Sequence, residues 1–370
     1  MTDFDDALPQ MLADIRRLVE CESPSADLDA VARSAALVAQ IGTDLLGQAP
    51  ETILVDGCTH LRWRRGTGDH RVLLLAHHDT VWPVGSLASH PFTITDGILR
   101  GPGCFDMIVG LVTALHVLAR TDPGRPVTLV VTGDEEIGST TSRALIEGEA
   151  AECAAVLVLE PSADGGRLKV RRKGTSWYRV RVRGRAAHAG LEPEKGVNAG
   201  VELAHQILAL AELGADDVGT TVIPTVLSGG TTPNTVPAQA VVTVDVRAWT
   251  AAEQQRVDEA MHALRPVDPR AALVVEGGPN RPPLDRDASA GLFERAARLA
   301  ATLGLPALES AEVGGGSDGN FTAGIGVATL DGLGAVGGGA HADHEHVVVD
   351  AIAGRAALVH ALVAELNRGG

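Results

Sequence analysis

The chain has 370 residues, of which 45% are hydrophobic and 21% charged, which is typical of a soluble globular protein long enough for two domains. Its formal net charge of −16 argues against a nucleic-acid partner, because such a partner needs a basic face. The acidic N-terminal sequence predicts no signal peptide and no apolar run is long enough to cross a membrane, so we expect a cytoplasmic protein with free thiols.

The first half of the chain alternates predicted helices and strands. Apolar residues recur at helical spacing from Leu8 to Val19 and again over 27–46, which predicts two helices. Beyond them, the predicted strands are 71–76, 127–132 and 155–159, and the predicted helices are 109–120 and 140–146. Continuous apolar strands that alternate with helices are typical of a parallel sheet covered on both faces.

The pattern changes near Lys173, where strands begin to alternate apolar and polar residues as half-exposed strands do. Three such strands and two helices predict a small α+β domain of β-α-β-β-α-β arrangement: strands 177–184, 238–248 and 272–276, helices 198–213 and 251–264. The α/β pattern then resumes with a helix at 289–303, a strand at 326–330 and a helix at 351–367. We therefore predict an α/β domain formed by 1–174 and 284–370, interrupted by an inserted domain over 175–283.

Five potential metal ligands are spread along the chain, each where a predicted strand ends. They are His77, Asp106, Glu136, Glu160 and His341. Strand ends on one edge of a parallel sheet are where α/β proteins place their sites. A set of imidazoles and carboxylates without thiolates suits a hydrolytic pair of Zn²⁺, Mn²⁺ or Co²⁺ ions rather than a structural zinc. This chemistry would activate water against a carbonyl.

Taken singly, these residues do not identify a site. The pattern His77-x-Asp79 is common by chance, although Asp79 lies on the same side of an extended chain and could fix the imidazole tautomer. Asp106 could simply cap the helix that begins near Val109. Glu160 could be an ordinary solvated carboxylate.

The adjacent carboxylates of Glu135 and Glu136 are more informative, because they repel each other unless a cation or a proton lies between them. One of the pair could bind a metal while its neighbour takes a proton from the attacking water. A solvated acidic loop is the alternative.

Other polar residues lie in turn-like segments. His341, His344 and His346 share one histidine-rich turn, and any of them could be an exposed loop residue. His188 resembles a surface histidine at a turn of the insert. Alone, Asn234 and Arg281 would be interpreted as structural.

One series of motifs runs through the chain in order: AHHDTV, GPGCFDM, TGDEEIGS, LEPS, GRAAHAGLEPEKGVNA, GGTTPNTVPA, DVR, GGGSDGNF and HADHEHV. The series resembles the dinuclear zinc metallopeptidase family that includes glutamate carboxypeptidase, aminoacylase, acetylornithine deacetylase and succinyl-diaminopimelate desuccinylase. The resemblance covers about 13–366 and is greatest to the glutamate carboxypeptidase branch. It implies a zinc-exopeptidase-like catalytic domain and a ferredoxin-like insert that forms a homodimer.

The resemblance also implies a role for each matching residue. Two Zn²⁺ per chain, replaceable by Co²⁺ or Mn²⁺, would be held by His77 with Glu160 and by Glu136 with His341, with Asp106 as the bridge. Asp79 would orient His77, and Glu135 would be the general base. His188 would reach the partner's active site and stabilise the oxyanion. The implied substrate contacts are Asn234, Arg281, Gly314, Gly315, Gly316 and Ser317.

The expected reaction is hydrolysis of the amide bond next to a free α-carboxylate in a small substrate, such as an N-acyl amino acid or short peptide. A glutamate-type carboxypeptidase and an N-acyl amino acid deacylase are both open. One departure bears on the substrate: Ile108 and Val109 stand where the family often has Lys-Gly.

Two further classes of protein are alternatives on the residues alone. A non-catalytic binding protein on the same fold would have lost a metal ligand or Glu135. The sequence keeps all five potential ligands and Glu135. A dinucleotide-binding enzyme is suggested only by Gly101-Pro-Gly103, which lacks the third glycine of that fingerprint.

Overall fold

The computed structural model describes residues 4–368, and within this range the chain forms both α-helices and β-strands. The helices are α1 (Leu8–Val19), α2 (Leu28–Leu46), α3 (Val109–Arg120), α4 (Arg143–Ala151), α5 (Ala199–Ala211), α6 (Ala251–Ala263), α7 (Arg286–Thr302), α8 (Gly319–Gly324) and α9 (Ile352–Leu366). The strands are β1 (Glu51–Val55), β2 (Cys58–Arg65), β3 (Val72–His77), β4 (Thr93–Thr95), β5 (Ile98–Arg100), β6 (Val127–Thr132), β7 (Ala155–Val158), β8 (Leu168–Arg172), β9 (Gly174–Arg183), β10 (Thr221–Gly229), β11 (Gln239–Ala248), β12 (Ala272–Arg281), β13 (Ser310–Val313), β14 (Thr329–Leu330), β15 (Gly337–Gly338) and β16 (His346–Val348).

The described chain divides into two compact units. The first contains the residues up to Arg171, Leu284–Val313 and the residues from Ser317 onward. The second contains Arg172–Pro283 and Gly314–Gly316. The outermost positions of the predicted α/β domain, 1–3 and 369–370, lie outside the described residues.

The first unit is built on a six-stranded sheet with strand order β1-β2-β6-β3-β7-β14. The pairs β6–β3, β3–β7 and β7–β14 are parallel, whereas β1–β2 and β2–β6 are antiparallel. Every residue of β3, β6 and β7 is buried, as expected for strands covered on both faces. The predicted α/β fold with a mostly parallel sheet is therefore confirmed.

Alternate residues of the central strands pack into different layers. Leu74 on β3 belongs to a large core with residues of α1, α3 and α9, while Leu73 and Leu75 join a smaller core with Ile146 of α4 and Phe321 of α8. This alternation follows from the two-residue period of a strand, which points successive side chains to opposite faces. The sheet is thus held rigidly between helices, and its strand ends are fixed in position.

The second unit has a four-stranded antiparallel sheet of order β10-β11-β9-β12. Helix α5 follows β9 and helix α6 follows β11, which gives the predicted β-α-β-β-α-β arrangement. Residues of β9 and β11 alternate between buried and partly exposed, so one face of the sheet packs on the helices. The core on that face includes Tyr178, Val180, Val242, Val244 and Met261.

Some predicted elements have different bounds in the structure. The helix predicted at 140–146 begins only at Arg143, because Thr141 and Ser142 form a turn that donates hydrogen bonds to Asp134. The strand predicted at 326–330 is reduced to β14, since Gly326 has a φ of 85° and ends the turn after α8. Strand β12 extends five residues beyond the predicted end, to Arg281, through its pairing with β9.

Within residues 4–368, no helix is long and apolar enough to span a membrane. The four cysteines are free thiols, as predicted.

Candidate metal centre

Three neighbouring parallel strands bring predicted ligands to one edge of the main sheet. His77 is the last residue of β3, Glu135 and Glu136 lie just after β6, and Glu160 follows β7. Because β6, β3 and β7 are adjacent and parallel, their carboxyl ends meet at the same edge.

Asp106 and His341 reach this edge from loops. Asp106 lies in the tight turn Cys104–Ile108 between β5 and α3, and His341 lies between β15 and β16 with a φ of 63°. The Asp106 turn begins at Gly103, whose φ is 70° and where a Cβ atom would lie 2.5 Å from Cγ2 of Thr80. Only glycine meets both conditions without strain, so this residue sets the position of Asp106.

Asp106 lies between the two histidines. Its Oδ1 is 3.4 Å from Nε2 of His77, and its Oδ2 is 3.4 Å from Nε2 of His341. Oε1 of Glu160 is 3.5 Å from His77 Nε2, and Oε2 of Glu136 is 3.1 Å from His341 Nε2. The five predicted ligands therefore form two groups, His77 with Glu160 and His341 with Glu136, that share Asp106.

The arrangement fits divalent cations. Nε2 of His77 is buried and has no hydrogen-bond partner of good geometry within residues 4–368, although carboxylate oxygens surround it. Ligand atoms of His77, Asp106 and Glu136 lie within 4.8 Å of one another, as do those of His77, Glu135 and Glu160. Several buried carboxylates around one imidazole nitrogen repel one another. A divalent cation bound among them would neutralise their charge and give the nitrogen a partner.

The pKa values also indicate a site for positive charge. Asp106 and Glu136 raise the pKa of His341 to about 11. Burial alone would lower the pKa of His77, but Asp106, Asp79 and Glu160 hold it well above its usual value. Burial raises the pKa of Glu136 to about 7, although His341 opposes this. A metal must therefore displace protons here, so its affinity should fall as the pH decreases.

Asp79 contacts both the predicted ligand His77 and the backbone of the predicted base, Glu135. Nδ1 of His77 donates to the main-chain oxygen of Asp79 at 2.9 Å, so Nδ1 keeps its proton and Nε2 is the nitrogen that could bind a metal when its own proton is displaced. The Asp79 carboxylate lies 3.4 Å from the same Nδ1 and accepts the main-chain N–H groups of Glu135 and Glu136, each at 3.2 Å. It also accepts from Ser25 at 2.6 Å. Asp79 thus fixes the backbone from which both glutamates project.

The neighbouring histidine, His78, takes no part in this cluster. Its Nε2 donates to the main-chain oxygen of Thr59 at 3.0 Å, on strand β2. Burial lowers the pKa of His78, so it stays neutral. Adjacent residues of a strand point to opposite faces, which explains why only one of the two histidines faces Asp106.

A second group of ligand types, Cys58, His60 and Asp134, lies beneath the loop that carries Glu135. Nδ1 of His60 accepts the N–H of Gly133 at 3.2 Å, and Asp134 accepts from Thr141 and Ser142 at 2.6–2.7 Å. These hydrogen bonds use the ligand atoms of His60 and Asp134, so the group supports the loop rather than binding a cation.

Glu345 supports the centre and was not singled out from the sequence. It is 3% exposed and accepts hydrogen bonds from the main-chain N–H groups of Gly103, Phe105 and Asp106 at 2.9–3.1 Å. Nε1 of Trp82 donates to it at 2.7 Å. The carboxylate therefore holds the turn that presents Asp106. Its position within the HADHEHV motif, four residues after the predicted ligand His341, was the signal that could have indicated this role.

Replacement of Glu345 by Gln is expected to weaken metal binding by about 10- to 100-fold, because an amide cannot accept all three N–H groups and the Asp106 turn would loosen. Equilibrium titration of chelated protein with Zn²⁺ measures this change. His344→Gln in the same loop, whose side chain is exposed, is the matched control. Equal affinities for wild type and Glu345→Gln would contradict a positioning role.

His188 and Asn234 lie on neighbouring loops of the second unit. The N–H of Ala189 donates to the main-chain oxygen of Asn234 at 2.9 Å, and His188 forms a β-bridge with Thr235. Nδ1 of His188 accepts the N–H groups of Gly190 and Leu191 at 3.1 and 3.2 Å. The neutral imidazole therefore carries its proton on Nε2, which is the donor an oxyanion requires.

Arg281 and the glycine loop also belong to the second unit. Arg281 ends β12 and is 4% exposed. Nη1 of Arg172 donates to the carbonyls of Gly315 and Gly316 at 3.1 and 3.3 Å, so this buried arginine shapes the predicted substrate loop, Gly314–Gly316.

Ser317 lies in the first unit and is fully buried. Its hydroxyl donates to Asp331 at 2.6 Å, and its main-chain N–H donates to Asn320 at 2.9 Å. Both groups are therefore engaged within the protein, and the predicted contact of Ser317 with substrate stays a prediction.

Ile108 and Val109, which replace the Lys-Gly of the family, are buried in the main core. The next residue, Gly110, is required by close packing, since a Cβ atom there would lie 1.9 Å from the carbonyl oxygen of Leu159.

Burial would raise the pKa of Asp106, but His341 and His77 hold it well below its usual range, with a smaller contribution from Lys169. Lys169 thus places a cation near the centre although position 108 does not.

Known proteins resemble this chain over most of its length. The profile described as peptidase family M20/M25/M40 matches residues 73–365. Carboxypeptidase G2 from a Pseudomonas species is 29% identical over 382 residues, which cover 98% of this chain and 91% of that protein. A succinyl-diaminopimelate desuccinylase from an Azoarcus species is 31% identical over 341 residues, which cover 83% of this chain and 86% of that protein.

Solved structures show the same fold at low sequence identity. An M20 family metallo-carboxypeptidase from Sulfolobus solfataricus has a TM-score of 0.77 at 16% identity, covering 97% of this chain and 99% of its own. A tripeptidase from Staphylococcus aureus has a TM-score of 0.74 at 20% identity, covering 98% and 99%.

Proposed function

This chain belongs to peptidase family M20/M25/M40, whose members are metal-dependent peptidases and amidohydrolases, and from that premise we propose that it hydrolyses the amide bond next to a free α-carboxylate. The amino acid on the carboxyl side of that bond would be released, as in a glutamate-type carboxypeptidase. The observation that carries the proposal is the position of Asp106, with one oxygen toward the buried His77 and the other toward His341, whose side chain is 49% exposed. This geometry is suited to bridging two cations.

We propose that His77 and Glu160 hold one Zn²⁺, that His341 and Glu136 hold the other, and that Asp106 bridges them. Co²⁺ or Mn²⁺ have the same preference for imidazole and carboxylate ligands and could substitute. Such ions, when bound, supply a water of lowered pKa and polarise the scissile carbonyl.

Glu135 is the proposed general base. It is 9% exposed, and its backbone is fixed by Asp79. Its carboxylate forms one cluster of potential ligand atoms with the imidazole of His77 and the carboxylate of Glu160. Its carboxylate would accept a proton from the attacking water and deliver it to the leaving amide nitrogen. The Nε2–H of His188, which its hydrogen bonds leave available, would stabilise the oxyanion.

We also propose a homodimer formed by the second unit, in which His188 serves the partner's site. Supporting this, β10 lies at the edge of its sheet as far as the described residues go, and it exposes Val226 and Leu227. Helix α5, which packs beside β10, exposes Val201 and Leu208. An exposed apolar edge strand beside an apolar helix is typical of an interface.

An N-acyl amino acid deacylase is the second candidate, favoured by the 31% identity to a succinyl-diaminopimelate desuccinylase. Both activities cleave an amide next to a free carboxylate and differ in the acyl group. Hydrolysis rates for a panel of N-acyl amino acids and dipeptides would separate them. Preferred release of acetate or succinate would favour the deacylase, and preferred cleavage of peptides or of acyl-glutamates would favour the carboxypeptidase.

The substrate carboxylate provides a direct test through Arg281. Arg281→Ala is expected to raise KM by about 10- to 100-fold for substrates with a free carboxylate, because two charge-assisted hydrogen bonds are lost. For the corresponding amidated substrates KM should hardly change.

The matched control is Arg270→Ala in the same unit, whose side chain is 55% exposed and pairs with Asp268. A KM increase of the same size for free and amidated substrates would remove the role assigned to Arg281.

A further inference from the structure

A second cavity lies in the first unit, beside helix α9. Its volume is about 350 Å³, and none of the residues proposed as metal ligands lines it. Most of its wall is apolar, formed by Leu305, Leu308, Val336, Val348 and Leu358. This size and lining are typical of pockets that bind small molecules.

Arg355 is the one cationic residue in the lining of this cavity. It projects from α9 and is 7% exposed. One of its nitrogens, Nη2, donates to the main-chain oxygen of Gly166, which also lines the cavity. The second terminal nitrogen, Nη1, is buried and has no hydrogen-bond partner within residues 4–368. The guanidinium of this lining residue therefore keeps an unused donor, on Nη1.

Arg355 also lacks a counter-charge. Burial is the cause that lowers its pKa to about 10, with no contribution from a neighbouring carboxylate in the described chain. At that pKa it remains a cation at neutral pH. Arg62 and Arg64, by contrast, both pair with the buried Glu149. A buried guanidinium is costly unless an anion accompanies it, so the position of Arg355 calls for an anion that the described protein does not supply.

The chemistry of the walls restricts that anion. Asp350, the acidic residue of the lining, is exposed and would repel a second negative charge at the rim. Phosphate would leave most of its oxygens without donors against the apolar walls. A single carboxylate on a hydrocarbon body matches both the lone guanidinium and the lining.

We propose that this cavity, the Arg355 pocket, binds a small apolar monocarboxylate. Its carboxylate accepts hydrogen bonds from the Arg355 guanidinium, and its hydrocarbon body packs on Leu305, Leu308 and Leu358. The pocket is a second site, independent of the amide hydrolysis proposed for the metal centre.

Calorimetric titration with 4-methylpentanoate tests the proposal, using both the metal-loaded and the chelated full-length protein. Binding to the chelated protein is expected, because chelation removes the competing carboxylate site at the metals. The neutral 4-methylpentanamide and the dicarboxylate 3-methylglutarate should bind at least about tenfold more weakly.

Variants locate the binding. Ala307 is exposed at the rim, so Ala307→Trp should block the pocket and weaken binding at least about tenfold without disturbing the core. Ala301→Trp, on an exposed position of α7 outside the lining, is the matched control and should bind as wild type does. Arg355→Met should abolish the preference for carboxylate over amide, and Arg355→Lys should keep part of it.

Three results would overturn the proposal: no binding to chelated wild type, equal affinity for the acid and its amide, or undiminished affinity in Ala307→Trp. The last variant decides the question even if Arg355→Met does not fold.

Discussion

Replacing Glu135 by Gln is expected to lower kcat by about 100- to 10,000-fold while the protein keeps its metal. The amide has nearly the shape of the carboxylate but cannot accept a proton from water. Its main-chain bond to Asp79 would remain, so the loop should keep its position. Steady-state kinetics with a saturating substrate, together with metal analysis of the same sample, measures both quantities. Glu135→Ala should lose turnover to a similar extent.

The neighbouring glutamate provides the contrast. Glu136→Gln removes a carboxylate that lies 3.1 Å from His341, so this variant should lose metal as well as activity. Glu152→Gln is the control, because this exposed glutamate pairs with Arg64 on the surface and should affect neither metal content nor activity. Near-wild-type turnover in Glu135→Gln would show that another group accepts the proton.

Replacing Asp106 by Asn is expected to reduce both metal content and activity, the latter by at least about a thousandfold. Each carboxylate oxygen faces one histidine, at 3.4 Å in both cases, and an amide offers only one acceptor and no charge. The substituted protein should therefore hold at most one ion. Metal content after dialysis against a weak chelator measures the loss.

Asp343→Asn is the control for that measurement, because this side chain lies in the His341 loop and is 91% exposed. It should behave as wild type. Full occupancy of two ions in Asp106→Asn would contradict the bridging geometry.

Local sequence patterns predicted the elements that are buried on both faces. The predicted helix 109–120 and strand 127–132 coincide with α3 and β6, because a continuous apolar run is decisive where both faces are covered. The antiparallel strands β1 and β2 were not predicted. Strand β2 contains Arg62 and Arg64, and these charged residues interrupt the apolar pattern that would predict a strand. In the structure, Glu149 of α4 pairs with both arginines. That pairing joins positions far apart in sequence and cannot be seen locally.

The same limit applies to the centre. His77, Glu136 and Glu160 could be placed together from strand ends alone, since parallel neighbours share an edge. Asp106 and His341 were also expected at strand ends, but in the structure they lie in loops, and the resemblance of motifs was the more specific signal that they belong to the same cluster. The role of Glu345 depends on hydrogen bonds across about 240 residues of sequence, from its carboxylate to the N–H groups of the Asp106 turn. No local pattern indicates such contacts.

The activity of chelated protein toward N-acyl amino acids and dipeptides, with and without added Zn²⁺, Co²⁺ or Mn²⁺, tests whether the chain is a two-metal amidohydrolase. We expect no turnover without metal, restoration that reaches its maximum at two ions per chain, and release of the amino acid that carried the free carboxylate. Hydrolysis that continues in metal-free protein, or protein that binds two ions and cleaves none of these amides, would contradict this expectation.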